Sequence, residues 1–558
     1  MSSTTAPTEI ASERLARPRL AADVSVHEPA KGKAPWVIQR GRQAYFRVQP
    51  DLARLALALN GTRDHAQLVE ILGPPWTTEA VGTAVGKLAA GQLLDNGEQA
   101  RRGGRHRRDR RDQRIKFVPP LTVQFTVLRP ERVLRRVSPF VGFLMSRAGT
   151  YALGVLALCG LLALAGQAQR VSTALGQAQP LSTYAAVVGG VLLTTAIHEF
   201  GHGAVLSHQG GRPGRMGVML FYLSPAAFCD VSDGWRLPHK QQRVAVALAG
   251  IATQVVIAGG AAVVSLLTEG PIRDGLIVYA IATYVLGLLN LIPFIKLDGY
   301  LALMSHLDIP NLRDHALHDA RRYTAQLMFG GRTRRRYDRK LPKLRWAVPF
   351  GLACMIFPLY IVAMVMQMWA DRLQQLGAFG AAFVLCGIGY LVYRLGRGLA
   401  GAIHEARRRG ARIQRIGAVV ALALAVAAAA LTLIKVPCTI TGGYLARDDG
   451  HLELLLSPSA DRSLIRKNST VRLYRAGIAT RALTGQAVIA SLRPTDTTAP
   501  LSAFVPVRTD ALSSSAVSYP LKTRKLAKDR VGAAEVDAGT RPLGEWLYVK
   551  YVAPAWRW

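Results

Sequence analysis

The chain has 558 residues, 50% of them apolar, and a formal net charge of +35. A mean hydropathy of +0.18 at that length points to an integral membrane protein of several domains. The charge by itself would suggest nucleic acid as a partner, but the Arg and Lys clusters lie between apolar segments, where membrane topology demands them, so nucleic acid is excluded.

In chain order, residues 1–21 are polar, lack the apolar stretch of a secretory signal, and are expected to be disordered. Residues 22–99 read as a small cytoplasmic domain. Trp36–Gln39 and Ala44–Val48 have strand composition, and Asp51–Asn60, Asp64–Leu72 and Thr77–Leu94 read as three helices separated by Gly61 and by Gly73-Pro74-Pro75. Two strands and three short helices fit a winged-helix unit. Residues 100–116 are an Arg-rich linker, of the kind that rests against anionic headgroups.

Residues 117–435 form the membrane core. Seven segments, about 149–167, 184–206, 244–267, 275–296, 346–369, 376–395 and 414–434, are each near the roughly 20 residues a helix needs to cross the bilayer. Basic clusters precede the first span (Arg101 to Arg114), follow the fourth (Arg321 to Arg345) and precede the seventh (Arg397 to Arg415). The loops after spans one, three and five carry only Arg170, Arg273 and Arg372 as basic residues. This places the N-terminus in the cytoplasm and the C-terminus outside, in a multi-pass protein of the cell membrane. Residues 436–558 alternate short β-rich runs with turn residues, and the tail Trp546–Val552 also reads as strand, so a small β barrel or sandwich is expected. Cys159, Cys229, Cys354, Cys386 and Cys438 show no CxxC spacing, which argues against a disulfide framework. The expected fold class is therefore mostly α: a polytopic membrane protein with about seven transmembrane helices, an N-terminal winged-helix domain and a C-terminal β-rich domain.

The chemistry concentrates in the second span. His198-Glu199-Phe200-Gly201-His202 places two His one helical turn apart, where they can share a zinc, with Glu199 between them as general base. So short a motif also arises by chance, so a third ligand is needed. His208 has the spacing of the HExxHxxGxxH enzymes, but Val205 stands where those enzymes have a turn-forming Gly, so the helix should run on and carry His208 away. Asp230 and Asp233 lie in a polar loop. Asp298 closes Asn290-Leu291-Ile292-Pro293-Phe294-Ile295-Lys296-Leu297-Asp298-Gly299 at the end of the fourth span, where a carboxylate is costly and Pro293 breaks the helix. A peptide must be extended to reach a metal, and Met216–Leu223 reads either as an edge strand that pairs with it or as an interfacial anchor hairpin.

HExxH in one span with Asn-x-x-Pro-x-x-x-Leu-Asp-Gly in a later one resembles the site-2 protease family of intramembrane zinc metalloproteases, over about residues 184–305. The resemblance implies that His198, His202 and Asp298 bind Zn2+, that Glu199 is the base and that Asn290 helps position the substrate. One departure is visible: Ala249-Gly250-Ile251-Ala252-Thr253-Gln254 replaces the Ala-Gly-Pro-x-x-Asn segment of many members.

The N-terminal domain, from Trp36 through Leu94, resembles the leader-recognition domains of ribosomally made, modified peptide pathways. That implies leader binding along Tyr45, Phe46 and Arg47 and the last helix. The C-terminal region, at Val471–Gly485 and Gly532–Leu547, weakly resembles the β-barrel part of membrane-fusion adaptors that serve peptide exporters. Together these look like the metalloproteases of bacterial peptide-maturation clusters, the daptide-type maturation proteases in particular. The implied partners are a precursor peptide, the lipid bilayer and a peptide exporter. Two alternatives stay open: regulated intramembrane proteolysis of a signalling protein, and a non-catalytic export or immunity protein on the same scaffold.

Overall fold

A computed structural model describes residues 16–28, 36–40, 44–95, 115–118, 122–128, 130–221, 224–330, 339–374, 378–408, 410–447, 451–458, 460, 462–478, 481–509, 513–525 and 529–553. By internal contacts the chain divides into two units, residues 1–155, 192–256 and 301–308 in one and residues 156–191, 257–300 and 309–558 in the other. The described residues are mostly helical, and seven of their helices are long and apolar enough to cross a membrane: Arg147–Gly166, Leu181–His208, Lys240–Leu267, Gly270–Leu291, Ala347–Gln367, Ala382–Arg408 and Ile413–Leu433.

The first unit opens with β1 (Val24–His27), β2 (Trp36–Arg40) and β3 (Ala44–Val48), an antiparallel sheet in that order, so β3 is an edge. Then come α1 (Pro50–Ala58), α2 (His65–Leu72) and α3 (Thr78–Ala90). Their ends are chemically specified. Asp64 accepts the Gln67 backbone N–H at 2.9 Å while the Gln67 side chain accepts the Asp64 N–H, and the Thr77 hydroxyl accepts the Ala80 N–H. Ile38, Leu55, Leu68, Val81, Val85 and Leu88 form its core. Sequence reading missed β1, a four-residue strand whose register pairs Val24 with Arg40 and His27 with Val37. It also placed the whole of residues 1–21 outside the domain. Residues 1–15 lie outside the described set, but Arg19 bridges Asn60, Leu20 bridges Leu94 and Ala21 is buried, so the packed body begins before residue 22. Of the Arg-rich stretch, residues 100–114 lie outside the description, and Ile115 and Lys116 already belong to a strand.

That strand is β4 (Ile115–Val118), followed by β5 (Thr122–Leu128) and the amphipathic α4 (Glu131–Leu144). After α5 (Arg147–Gly166), α6 (Ala168–Gly176) and β6 (Gln179–Pro180) comes α7 (Leu181–His208), and then β7 (Met216–Phe221) and β8 (Ser224–Cys229). The sheet order is β4-β5-β7-β8. This corrects the expectation that Met216–Leu223 is an edge: β7 is paired on both sides, with β5 and with β8, and β8 is the edge near α7. Tyr222 and Leu223 lie outside the described residues. The missing signal was β5, which lies nearly ninety residues upstream and closes β7's second side. α8 (Lys240–Val264) packs Val246 beside Leu206 of α7.

In the second unit, α9 (Gly270–Leu291) ends just before Pro293, and Ile292 donates back to the Leu289 carbonyl. Asp298 opens α10 (Asp298–Leu307), and the turn is tight enough that a Cβ on Gly299 would run into the Leu291 carbonyl. α11 (Leu312–Phe329), α12 (Ala347–Gln374), α13 (Ala378–Arg408) and α14 (Ile413–Leu433) follow.

The C-terminal strands are β9 (Lys435–Ala446), β10 (Leu452–Leu456), β11 (Thr470–Ala476), β12 (Arg481–Ile489), β13 (Thr495–Pro500), β14 (Val507–Arg508), β15 (Ser513–Lys525) and β16 (Val531–Pro542). Their order is β10-β9-β16-β11-β12-β15-β13, and β10 also pairs with β15, so six strands close into a small barrel with β13 added outside. Alternate residues fill it, with Leu452, Leu454 and Leu456, Val471 and Leu473, Val517, Tyr519 and Leu521 all buried. β14 lies parallel to β6, and the Tyr184 hydroxyl donates to the Pro506 carbonyl at 2.6 Å, tying the barrel to the first turn of α7. The tail expected as strand is instead α15 (Leu543–Leu547) and a wide turn at Tyr548–Val552. Pro542 ends β16, and Trp546 then stacks edge-on with Tyr551 at 5.8 Å while Tyr551 buries against Val384. Aromatic content had suggested strand where the spacing serves a helical turn.

Candidate metal centre

α7 is helical throughout His198–His208, so His198 and His202 share one face and both are buried, at 4% and 5% exposure. Their Nε2 atoms lie 3.1 Å apart, with the rings edge to face at 84°. Two imidazole nitrogens about 2.0–2.1 Å from one tetrahedral zinc would be separated by about 3.3 Å. His202 Nδ1 lies 2.7 Å from the Val246 carbonyl, which can only accept, so Nδ1 carries the proton and Nε2 presents its lone pair to the centre. Ligand atoms of His198, His202 and Asp298 all lie within 4.8 Å of one another, a grouping that could hold a metal ion.

The space for an ion is made by a glycine. A Cβ on Gly250 of α8 would fall 2.5 Å from His202 Nε2 and collide with His198 as well. The donor set and this cradle fit zinc. In the segment Ala249–Gln254 the departures from the Ala-Gly-Pro-x-x-Asn pattern are Ile251 and Gln254, and Gly250, which matches it, carried no expectation of its own; a Gly inside an apolar helix is the one signal that could have marked it. Gly250→Ala is expected to push the imidazoles apart and lower zinc affinity about 10–100-fold, the range for losing a group that orients ligands. Gly260→Ala, in the same helix with nothing near its Cβ position, should leave zinc content unchanged. Elemental analysis after dialysis against a graded chelator would measure both.

Glu199 Oε2 accepts the Cys229 backbone N–H at 2.9 Å, which ties the carboxylate to the last residue of the edge strand β8. The Cys229 thiol is pushed up to about 12 by burial, and then by the Glu199 and Asp230 carboxylates.

His208, Asp230 and Asp233 are engaged elsewhere. The helix does run on past Val205, and His208 Nδ1 meets Ser138 Oγ at 3.3 Å on α4. Asp230 Oδ1 accepts the Ser232 hydroxyl at 2.6 Å, and Asp233 accepts the Arg212 N–H at 2.7 Å and Arg236 Nη1 at 3.1 Å. Asn290 stands half-buried in the last turn of α9. In the N-terminal domain Tyr45, Phe46 and Arg47 lie on the edge strand β3, paired with Gln39, Ile38 and Val37. Phe46 is 38% exposed, while the side chains of Tyr45 and Arg47 lie outside the description. No protein-family model matches the chain, and no curated protein or solved structure matches it at a significant level.

Proposed function

We propose that the chain is an intramembrane zinc metalloprotease that removes the leader from a ribosomally made, modified precursor peptide at the bacterial cell membrane. The observation that carries the reading is the grouping of His198, His202 and Asp298, with the two His and Glu199 on a helix apolar enough to cross a membrane and Asp298 a few residues past the end of another. His198, His202 and Asp298 would hold the ion. Bound there, zinc supplies Lewis-acid polarisation of the scissile carbonyl and lowers the pKa of a water.

The chain's own residues do the rest. Glu199 takes a proton from the attacking water and passes it to the leaving amine. The Cys229 N–H fixes one carboxylate oxygen and so sets the direction in which Glu199 faces. An extended substrate adds to the outer edge of β8. Cys229 turns its N–H away from β7, so Ala227, two residues back, turns its N–H and C=O outward as well, and Pro225 has no N–H to waste at the next outward position. Substrate backbone held there reaches the carboxylate directly.

The N-terminal domain supports a leader as the handle. β3 is an edge strand, and a leader adding to it would lie along Phe46. Removing residues 1–100 is expected to lower kcat/KM for a leader-bearing precursor about 10²-fold, through lost effective concentration. Phe46→Pro in the full chain should weaken leader binding, because Pro removes a ladder donor. Fluorescence polarisation with a labelled leader peptide, paired with cleavage assays, measures both. Unchanged cleavage without the domain would favour proteolysis of a membrane signalling protein instead. For topology, a reporter fused after Trp558 should be active only outside the cytoplasm and a tag at Met1 should be protected in intact cells. An accessible Met1 tag would overturn the proposed orientation.

A further inference from the structure

The helix α4 carries a face that the protease reading does not use. At 100° per residue, Leu134, Val137 and Val141 form one stripe, and they pack on Phe200, Ala204 and Val205 of α7, with Leu134 fully buried. A second apolar stripe, Val133 and Phe140, lies about 100° round the helix. It is open: Val133 is 53% and Phe140 59% exposed, and Phe143, 66% exposed, lies beyond it between the Arg132 and Arg136 positions. Arg132, Arg135 and Arg136 occupy the remaining arc and are exposed too. Three residues after Leu144, α5 begins at Arg147 as the first apolar span, so α4 stands where the chain would enter the bilayer.

We propose that α4 is a membrane-surface helix that binds acidic phospholipid headgroups through Arg132, Arg135 and Arg136 and seats Val133 and Phe140 in the acyl layer. This rests on the membrane placement proposed above. The charge fits: α4 has one carboxylate, Glu131, against three guanidinium groups. An apolar stripe bordered by Arg matches the boundary between acyl chains and anionic headgroups. The inner stripe carries the consequence. Leu134 fills the space over Gly203, where a Cβ would lie 3.0 Å from it, and Ser138 meets His208. α4 therefore holds α7 at two points just past the HExxH turn, and its seating sets the depth of that turn against the membrane surface.

The test uses the full chain in a cysteine-free background, reconstituted in nanodiscs. One environment-sensitive dye is placed at Phe140→Cys and, separately, at Arg135→Cys, and acrylamide quenching is read for each. In discs containing about 30% phosphatidylglycerol the dye at Phe140→Cys should be quenched about threefold less than that at Arg135→Cys. Phosphatidylcholine alone should narrow the difference, and Arg132→Glu with Arg136→Glu should abolish the effect of phosphatidylglycerol. Equal quenching at the two positions, or protection independent of lipid charge, would overturn the proposal. A chain that fails to enter the discs at all would overturn the membrane reading itself, and α4's role with it.

Discussion

Glu199→Gln is expected to keep zinc bound and to lower kcat about 10²–10⁴-fold, the range for losing a general acid–base group. The substitution is close to isosteric, and the amide oxygen of Gln can still accept the Cys229 N–H now received at 2.9 Å, so the helix and the β8 edge keep their places. Only the proton acceptor is lost. His198→Ala and His202→Ala should lose both metal and cleavage, because each removes one of two Nε2 donors set 3.1 Å apart. Elemental analysis and single-turnover cleavage of the same preparations separate the two effects. Full activity in Glu199→Gln would end the protease reading.

Much of this architecture was legible because the bilayer makes local composition decisive. Each apolar helix must satisfy its own backbone and be about 20 residues long, so the seven long helices appear in hydropathy alone, with most ends shifted by a few residues and the sixth running on past the expected residue 395 to Arg408. The caps at Asp64 and Thr77 were legible for the same reason, since capping is a property of neighbouring residues. What escaped depends on distant partners. β5 and β7 lie far apart in sequence, and only their pairing shows that β8, not β7, is the edge. Barrel closure depends on β15, a strand of 13 residues that pairs with β13, β10 and β12 along its length. Strand propensity carries no information about such sharing. At the site, HExxH and Asp298 announced themselves by charged and titratable residues in apolar surroundings. Gly250 did not, because its contribution is an absent side chain, visible only once α8 is packed against the imidazoles.

Asp298→Asn should empty the site, while His208→Ala and Asp230→Asn should leave it filled. Zinc takes carboxylate oxygen readily, and a neutral amide offers neither the charge nor the donor strength, so affinity should fall by more than about 100-fold, the upper end of what an orienting partner alone is worth. Asn is nearly the same size as Asp and still opens α10, and the tight turn depends on Gly299 meeting Leu291, which is untouched. Metal loss would therefore report the ligand and not the fold. His208→Ala removes the contact with Ser138 at 3.3 Å and should cost about 0.5–1.5 kcal/mol of stability, with zinc retained. Asp230→Asn keeps an acceptor for the Ser232 hydroxyl. Zinc stoichiometry under a chelator series, with thermal unfolding run in parallel, checks all three variants. If His208→Ala emptied the site and Asp298→Asn did not, the running-on of α7 past Val205 would have misled, and the third ligand would be the histidine one turn and a half beyond His202.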